Sequence, residues 1–279
     1  MSGTKGKIGR TGDGRPGFVS NISSLSWTVW KRNRDVYLKT YNTNLLPPLL
    51  EPILYLLAFG FGLGAIVSAN VDGVMYIQFI APAMVALSVM NAGSFECTYG
   101  SYVRMYYQKT FDAITATPVS VEDVIAGEML WGATKSVINA GIMVGVMLIL
   151  GPVLQIQLLS AYLAVLILVV AFIGGLLFSA IAMCFTAVVP TMDHFNYYMF
   201  LIITPMMLLC GTFFPTGMLP QALQTIIFLL PLTHVVIATR ELALDHLTFA
   251  SAFSLLYLVV MSLVLFLVAI YLMRRRLIK

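Results

Sequence analysis

Apolar runs separated by short polar stretches dominate this chain. They cover residues 45–67, 75–99, 129–150, 158–189, 195–214 and 249–273. A helix needs about twenty apolar residues to cross a bilayer core, so the pattern predicts an all-α membrane protein with six transmembrane helices. Two stretches depart from it. In residues 22–41, Ile22, Leu25, Val29, Trp30, Val36 and Tyr37 share one side of a helical wheel, with Asn33 as the polar intruder. Lys31, Arg34, Asp35 and Lys39 fall opposite. A basic amphipathic helix with Trp on its apolar face, directly before a span, reads as an interface helix in the headgroup plane. A solvated helix packed on a partner would carry the same pattern.

The second departure is residues 205–242. It is apolar enough for membrane depth, yet prolines stand at Pro205, Pro215, Pro220 and Pro231. Proline lacks the N–H and clashes with the preceding turn, so no straight helix runs through it. The pattern predicts two short helices within 220–242, about 221–230 and 233–242, folding back at the outer surface. Broken backbone at that depth is tolerated where protein covers it or it lines a cavity. The stretch is therefore the lid of a path, or else a hydrophobic loop resting on the membrane.

Composition agrees with the pattern. Apolar residues make up 59% and charged residues 10%, with mean hydropathy +0.91; a soluble domain is about 25% charged. Of sixteen Lys and Arg, eight precede residue 45. Arg104 and Lys109 lie in the polar segment 100–128, and Arg274, Arg275, Arg276 and Lys279 end the chain. By the positive-inside rule both termini and segment 100–128 face the cytoplasm; Arg240 is the exception. Residues 1–17, rich in Gly and Lys, lack the apolar core of a signal peptide and are expected to be a disordered tail. Cys97, Cys184 and Cys210 sit in apolar runs as small buried side chains rather than a disulfide framework.

Segment 100–128 predicts a short helix over 102–116 and a break at Thr117-Pro118. Ser120 then caps a new helix whose first turn holds Glu122 and Asp123, where carboxylates suit the helix dipole. Such a hairpin suits docking of a soluble partner, or serves as a connector. Three further features leave alternatives open. Glu51, one turn into the first span, lines a cavity, pairs with a cation of the interface helix, or reaches the interface. Tyr197 and Tyr198, beginning the fifth span, offer hydroxyls to a sugar or anchor that span at the interface. Gly174-Gly175 with Ser179 permits close helix approach or a kink.

The chemistry absent from the chain narrows its function. No GxxxxGK[ST] loop cradles phosphates, and no span carries a row of ionisable residues for a proton relay. There is no inverted repeat, no nucleophile motif, and no second ligand near His234 at metal spacing. The chain is thus expected to hold no catalytic, cofactor or metal residue, and no nucleic-acid site. The economical reading is a transport subunit whose ATP is hydrolysed by another chain docked on 100–128. An ion-coupled secondary carrier working alone, or a membrane enzyme acting on lipid, are the rival classes.

Four stretches carry a resemblance: EPILYLLAFGFGLG at 51–64, SFECTYGSYVRMYYQKTFDAITATPVSVEDVIAGEMLW at 94–131, GTFFPTGMLPQALQTIIFLLPLTHVVIATREL at 211–242, and the terminal RRRLIK. They resemble the membrane subunits of type-2 ABC exporters, and among these the permeases of lipo-oligosaccharide export. The resemblance runs from about residue 22 to the end and implies an ABC transporter transmembrane domain over 18–279. It implies a homodimer with two ATPase subunits that carry ATP and Mg, in a bacterial inner membrane. It makes 102–116 the coupling helix, with Arg104, Lys109 and Asp112 as contact candidates. Phe213, Phe214 and Pro215 become a constriction below the outer helices. The implied cargo is an amphipathic lipid-linked or lipo-oligosaccharide molecule, with Glu51, Tyr197 and Tyr198 as candidates on its path. A drug exporter permease of the same superfamily differs only in cargo.

Overall fold

The structure, a computed structural model, describes residues 22–64, 71, 73–160 and 162–277; the side chains of Thr43, Glu51, Pro52, Phe61 and Leu63 fall outside it. The expected tail at 1–17 and the outer end of the first expected span lie outside the described residues, as does the Glu51 side chain. What is described is helical, with one isolated bridge between Val71 and Val74.

The elements are α1 (Ser26–Lys39), α2 (Tyr41–Tyr55) with a π-helical extension Leu56–Leu63, α3 (Tyr76–Phe95), α4 (Thr110–Thr115), α5 (Val121–Leu154), α6 (Ala164–Val188), α7 (Phe195–Tyr198), α8 (Thr204–Leu209), α9 (Gln221–Phe228), α10 (Pro231–Leu244) and α11 (Phe249–Leu277). Helix α3 continues through π-helical turns Glu96–Gly100 and Val103–Tyr107.

Four helices among the described residues are long and apolar enough to cross a membrane: Tyr76–Tyr107, Val121–Leu154, Ala164–Val188 and Phe249–Leu277. The pair α9 and α10, bent by 87°, adds a fifth if taken as one span. The six expected spans therefore appear as four, with the other two shorter. The fifth expected span is a chain of short turns, α7, Met199–Ile203 and α8, that stops at Gly211, where φ is +77°. Its helical part, residues 195–209, is about 22 Å long at 1.5 Å per residue, short of a bilayer core of about 30 Å.

The expected fourth span is corrected at its start: residues 158–160 and 162–163 are not helix, and α6 begins at Ala164. The Ser160 N–H donates instead to the Ala243 carbonyl at 3.1 Å, so α10 claims this strand of chain. Small residues let the central helices touch. A Cβ on Gly93 would stand 2.8 Å from the Gly175 carbonyl, and one on Gly175 would stand 2.5 Å from Ser136 Cβ. Gly175 thus serves close approach of α6 to α3 and α5 within one continuous helix. A core of buried apolar side chains from α3, α5, α6 and α10 surrounds this node.

Helix α1 packs its Val29, Asn33 and Tyr37 face on α5, where Cβ of a substituted Gly127 would meet Val29 at 2.6 Å. The Trp30 indole N–H donates to Thr134 Oγ1 at 2.8 Å. Trp27, Val36 and Leu38 remain exposed. The helix therefore has a protein-facing stripe and a separate apolar surface.

Candidate functional site

Two polar constructions sit at opposite ends of α3 and its extension. At the far end Glu96 and Arg104 belong to an ionic knot; at the near end Tyr76 and Phe79 hold a broken turn. Twenty-eight residues separate Tyr76 from Arg104 in sequence, so roughly 40 Å of helix lies between them.

The knot is built from four elements. Glu128 on α5 is fully buried and accepts from Arg104 Nε at 2.8 Å, Ser101 Oγ at 2.8 Å and Asn33 Nδ2 at 2.9 Å. Arg104 Nη2 lies 2.5 Å from Glu128 and 2.7 Å from Glu96. Lys135, two turns along α5 from Glu128, donates to Glu96 at 2.8 Å. Arg32 of α1 approaches Glu128 at 3.7 Å. A carboxylate taken out of water loses hydration worth several kcal/mol and survives only with close cations and full hydrogen bonding; Glu128 has both. The π-helical turns over 96–107 widen the helix where these side chains converge, a common feature of functional positions.

Beyond the knot the chain turns sharply. Lys109 adopts φ +50°, which ends one helical stretch before α4 starts. The single helix expected over 102–116 is therefore two pieces, broken at Lys109. Of the three expected contact residues, Lys109 and Asp112 are exposed, whereas Arg104 is turned inward with its side chain 16% exposed. The pull of two buried carboxylates explains the inward turn. Phe111, 2% exposed, anchors α4 to the bundle. The predicted cap forms: Ser120 Oγ accepts the Asp123 N–H at 3.0 Å. Asp123 also accepts the Ser23 N–H at 2.7 Å, which ties the start of the described chain to α5.

The terminal arginines join the same region. Arg274 pairs with Glu122 at 3.2 Å, and Arg276 donates to Tyr106 Oη at 2.7 Å and to the Thr186 carbonyl. Arg275 lies over the Tyr271 ring at 4.8 Å.

At the near end of α3, Tyr76 Oη donates to the Phe213 carbonyl at 3.1 Å, and the Phe59 and Phe213 rings are 5.1 Å apart. Arg240 explains its own odd position in the cation pattern. Its guanidinium stacks on Phe79 with 3.8 Å to the ring centre, donates to the Phe79 carbonyl at 3.2 Å, and donates to the Gly211 carbonyl at 2.7 Å. It binds α10, α3 and the 211–215 turn together. Phe213, Phe214 and Pro215 are half-buried beside it. His234 is structural, held by Ser254 Oγ at 3.1 Å and the Phe228 carbonyl at 2.9 Å.

The two expected path tyrosines part company. Tyr197 is 61% exposed. Tyr198 is fully buried, its hydroxyl 2.9 Å from Ser94 Oγ and its ring against Phe185. Packing between α3 and α6 thus removes Tyr198 from any open surface of this chain.

A cleft of about 600 Å³ opens beside the knot, between α1, the end of α3 and α5. Arg32, Tyr37, Glu96, Arg104, Trp131 and Lys135 are among its walls. Burial first, and the Glu96 charge second, hold the Tyr37 phenol above its ordinary pKa, so it stays a hydrogen-bond donor. Sequence reasoning singled out neither Glu128 nor Glu96, because their partners lie 24 and 39 residues away. The sequence signal was two charges in apolar runs, Glu96 and Lys135, with Glu128 at the end of the polar segment.

Comparison with known proteins bears on the family. Residues 24–244 match the family model described as ABC-2 type transporter. The chain is 36% identical to Nodulation protein J of Bradyrhizobium diazoefficiens over 94% of its own length and 97% of that protein's. It is 38% identical to Nodulation protein J of Rhizobium meliloti, covering 81% of this chain and 85% of the relative. A more distant likeness, 23% identity over 88% of this chain and 91% of the relative, links it to the inner membrane transport permease YadH of Escherichia coli. No solved structure matches at a comparable level. With its helical bundle, apolar spans and match over most of its length, the chain belongs to the ABC-2 type transporter family of membrane permease subunits.

Proposed function

We propose that this permease works as a homodimer driven by two separate ATPase subunits and moves an amphipathic, lipid-bearing oligosaccharide out of the cytoplasm or the inner leaflet. The observation that carries the reading is the α4 turn. It presents Lys109 and Asp112 outward, is pinned by buried Phe111, and is joined across the break at Lys109 to the span that carries Arg104 and Glu96. A push on α4 therefore reaches α1, α3 and α5 through one rigid set of charge contacts. Rigid-body rotation of helices about such a joint is an established way to convert a local push into a global change. Arg104 acts here as a positioning residue, and Lys109 and Asp112 as the contacts to the ATPase.

The 211–215 turn and helices α9 and α10 form the opposite mouth in this reading. Phe213, Phe214 and Pro215 make an apolar constriction that suits an acyl chain, whose burial is worth about 0.8 kcal/mol per methylene. Tyr197 and Glu51 stay as path candidates for the sugar portion; Tyr198 serves packing. The resemblance of 51–64, 94–131 and 211–242 to lipo-oligosaccharide export permeases supports that cargo.

The test is association. Lys109→Glu combined with Asp112→Arg is expected to lower copurification of the ATPase at least tenfold and to abolish export, with the unfolding temperature of the permease unchanged. Full association and export by that variant would sink the docking assignment.

A further inference from the structure

The cleft beside the ionic knot is built for a ligand of its own. Three cations, Arg32, Arg104 and Lys135, face two carboxylates, Glu96 and Glu128. One positive charge is left over within the group. Two buried donors on the cleft wall also lack a protein acceptor among the described residues: Arg32 Nη1 and the Tyr37 hydroxyl. Tyr37 is only 9% exposed. A buried donor without a partner costs about 1–3 kcal/mol, so an acceptor arriving from outside relieves that cost. Glu96 also lines the cleft, but Lys135 and Arg104 neutralise it at 2.8 and 2.7 Å.

The surroundings say what kind of molecule brings that acceptor. The walls are amphiphilic: Trp131, Tyr99, Val36 and Val103 alternate with the polar groups. Thr40 and Asn44, at the junction of α1 and α2, form another part of the wall. Just beyond them Leu45, Leu46, Leu49 and Leu50 are exposed on α2, and Leu38 on α1. The cleft thus opens where an apolar surface along the first expected span meets the amphipathic helix. An acyl chain can lie along those leucines while its headgroup enters between Arg32 and Tyr37.

We propose that this cleft binds the anionic headgroup of a membrane lipid at the cytoplasmic headgroup plane, with Arg32 Nη1 and the Tyr37 hydroxyl donating to the headgroup oxyanion. The acyl chains stay on the exposed face of α2. The proposal rests on reading the 100–128 side of the bundle as cytoplasmic, and it holds whether the bound amphiphile is cargo or a resident lipid.

The experiment uses the full chain in nanodiscs of phosphatidylcholine containing a minority of phosphatidylglycerol, with retained lipid counted by native mass spectrometry. The wild-type protein is expected to retain phosphatidylglycerol at least tenfold above its share of the bilayer. Arg32→Gln with Tyr37→Phe is expected to retain it at its bulk share while still unfolding in one cooperative transition; Tyr37→Phe alone, which keeps the ring and the knot cation, is expected to fall between. No preference in the wild type, or equal preference in the double variant, would overturn the proposal. Millimolar inorganic phosphate separates the sources: if it displaces the lipid completely, the ligand is a free oxyanion and the lipid assignment fails. Sidedness is measured separately by labelling of Lys109→Cys in whole cells, so failure of the cleft and failure of the orientation are distinguishable.

Discussion

Glu128 sits where a carboxylate would not survive alone. Its solvation is replaced by Arg104, Ser101 and Asn33, each within 2.9 Å. Removing one partner of such a buried pair costs about 3–5 kcal/mol, because the other charge stays behind without compensation. Glu128→Ala is therefore expected to lower stability by about that amount, read as denaturant or thermal unfolding of the purified chain in detergent. A loss below about 1 kcal/mol would mean that water already shares the knot. Arg104 obeys the same physics: its position beside the polar turn suggests a surface contact, and two buried carboxylates turn it inward. Spacing in the sequence cannot display this, since Glu128 and Arg104 become neighbours only when α5 packs along the end of α3. Cap chemistry is different. Ser120 and Asp123 are three residues apart and satisfy each other locally, so their arrangement was legible in advance.

Among the elements, the bent pair α9–α10 and the turn before it depend on one cation. Arg240 joins the Phe79 ring, the Phe79 carbonyl and the Gly211 carbonyl. A planar guanidinium can stack on a ring and donate sideways at once, which an ammonium cannot. Arg240→Lys is expected to lose the stacked geometry, and Arg240→Leu the donors as well. With Leu, stability should fall by about 2–4 kcal/mol, given two buried carbonyls left without their donor. Limited proteolysis in the 211–220 turn should speed up in parallel. Unchanged cleavage would show that the turn is held by Tyr76 and the Phe59–Phe213 contact instead. The existence of two short helices was predictable from the prolines, although the second starts at Pro231, two residues before the expected 233, with Pro in its first turn. Their 87° bend was not, because packing of α10 against α3, α6 and α11 chooses the angle.

At the scale of the molecule, the question is how many times the chain crosses. Among the described residues four helices have the length for it, and the α9–α10 pair makes a fifth candidate. The proposed arrangement puts Lys109 and Gly217 on opposite sides of the membrane. Single cysteines at these exposed positions, in a background without native cysteines, are expected to label oppositely with an impermeant maleimide in intact cells: Gly217→Cys strongly, Lys109→Cys only after permeabilisation, with at least a tenfold contrast. Labelling of both from outside would overturn the orientation. The C-terminal arginines also gain a structural role at this scale. Arg274 and Arg276 return to Glu122, Tyr106 and Thr186, so α11 is fastened to the same polar end as α4.

The class of protein, its long apolar helices, its amphipathic first helix and its broken passage over 205–242 follow from local pattern, because hydrophobic length and proline placement act within one turn or one span. Family membership follows from the same linear information. The tertiary structure alone decided which charges meet, that Tyr198 is packing, that α6 starts late, and that a cleft with two unsatisfied donors opens beside α1. Those outcomes depend on contacts between residues from 24 to 152 positions apart, and small-residue packing of α3, α5 and α6 brings many of them within reach.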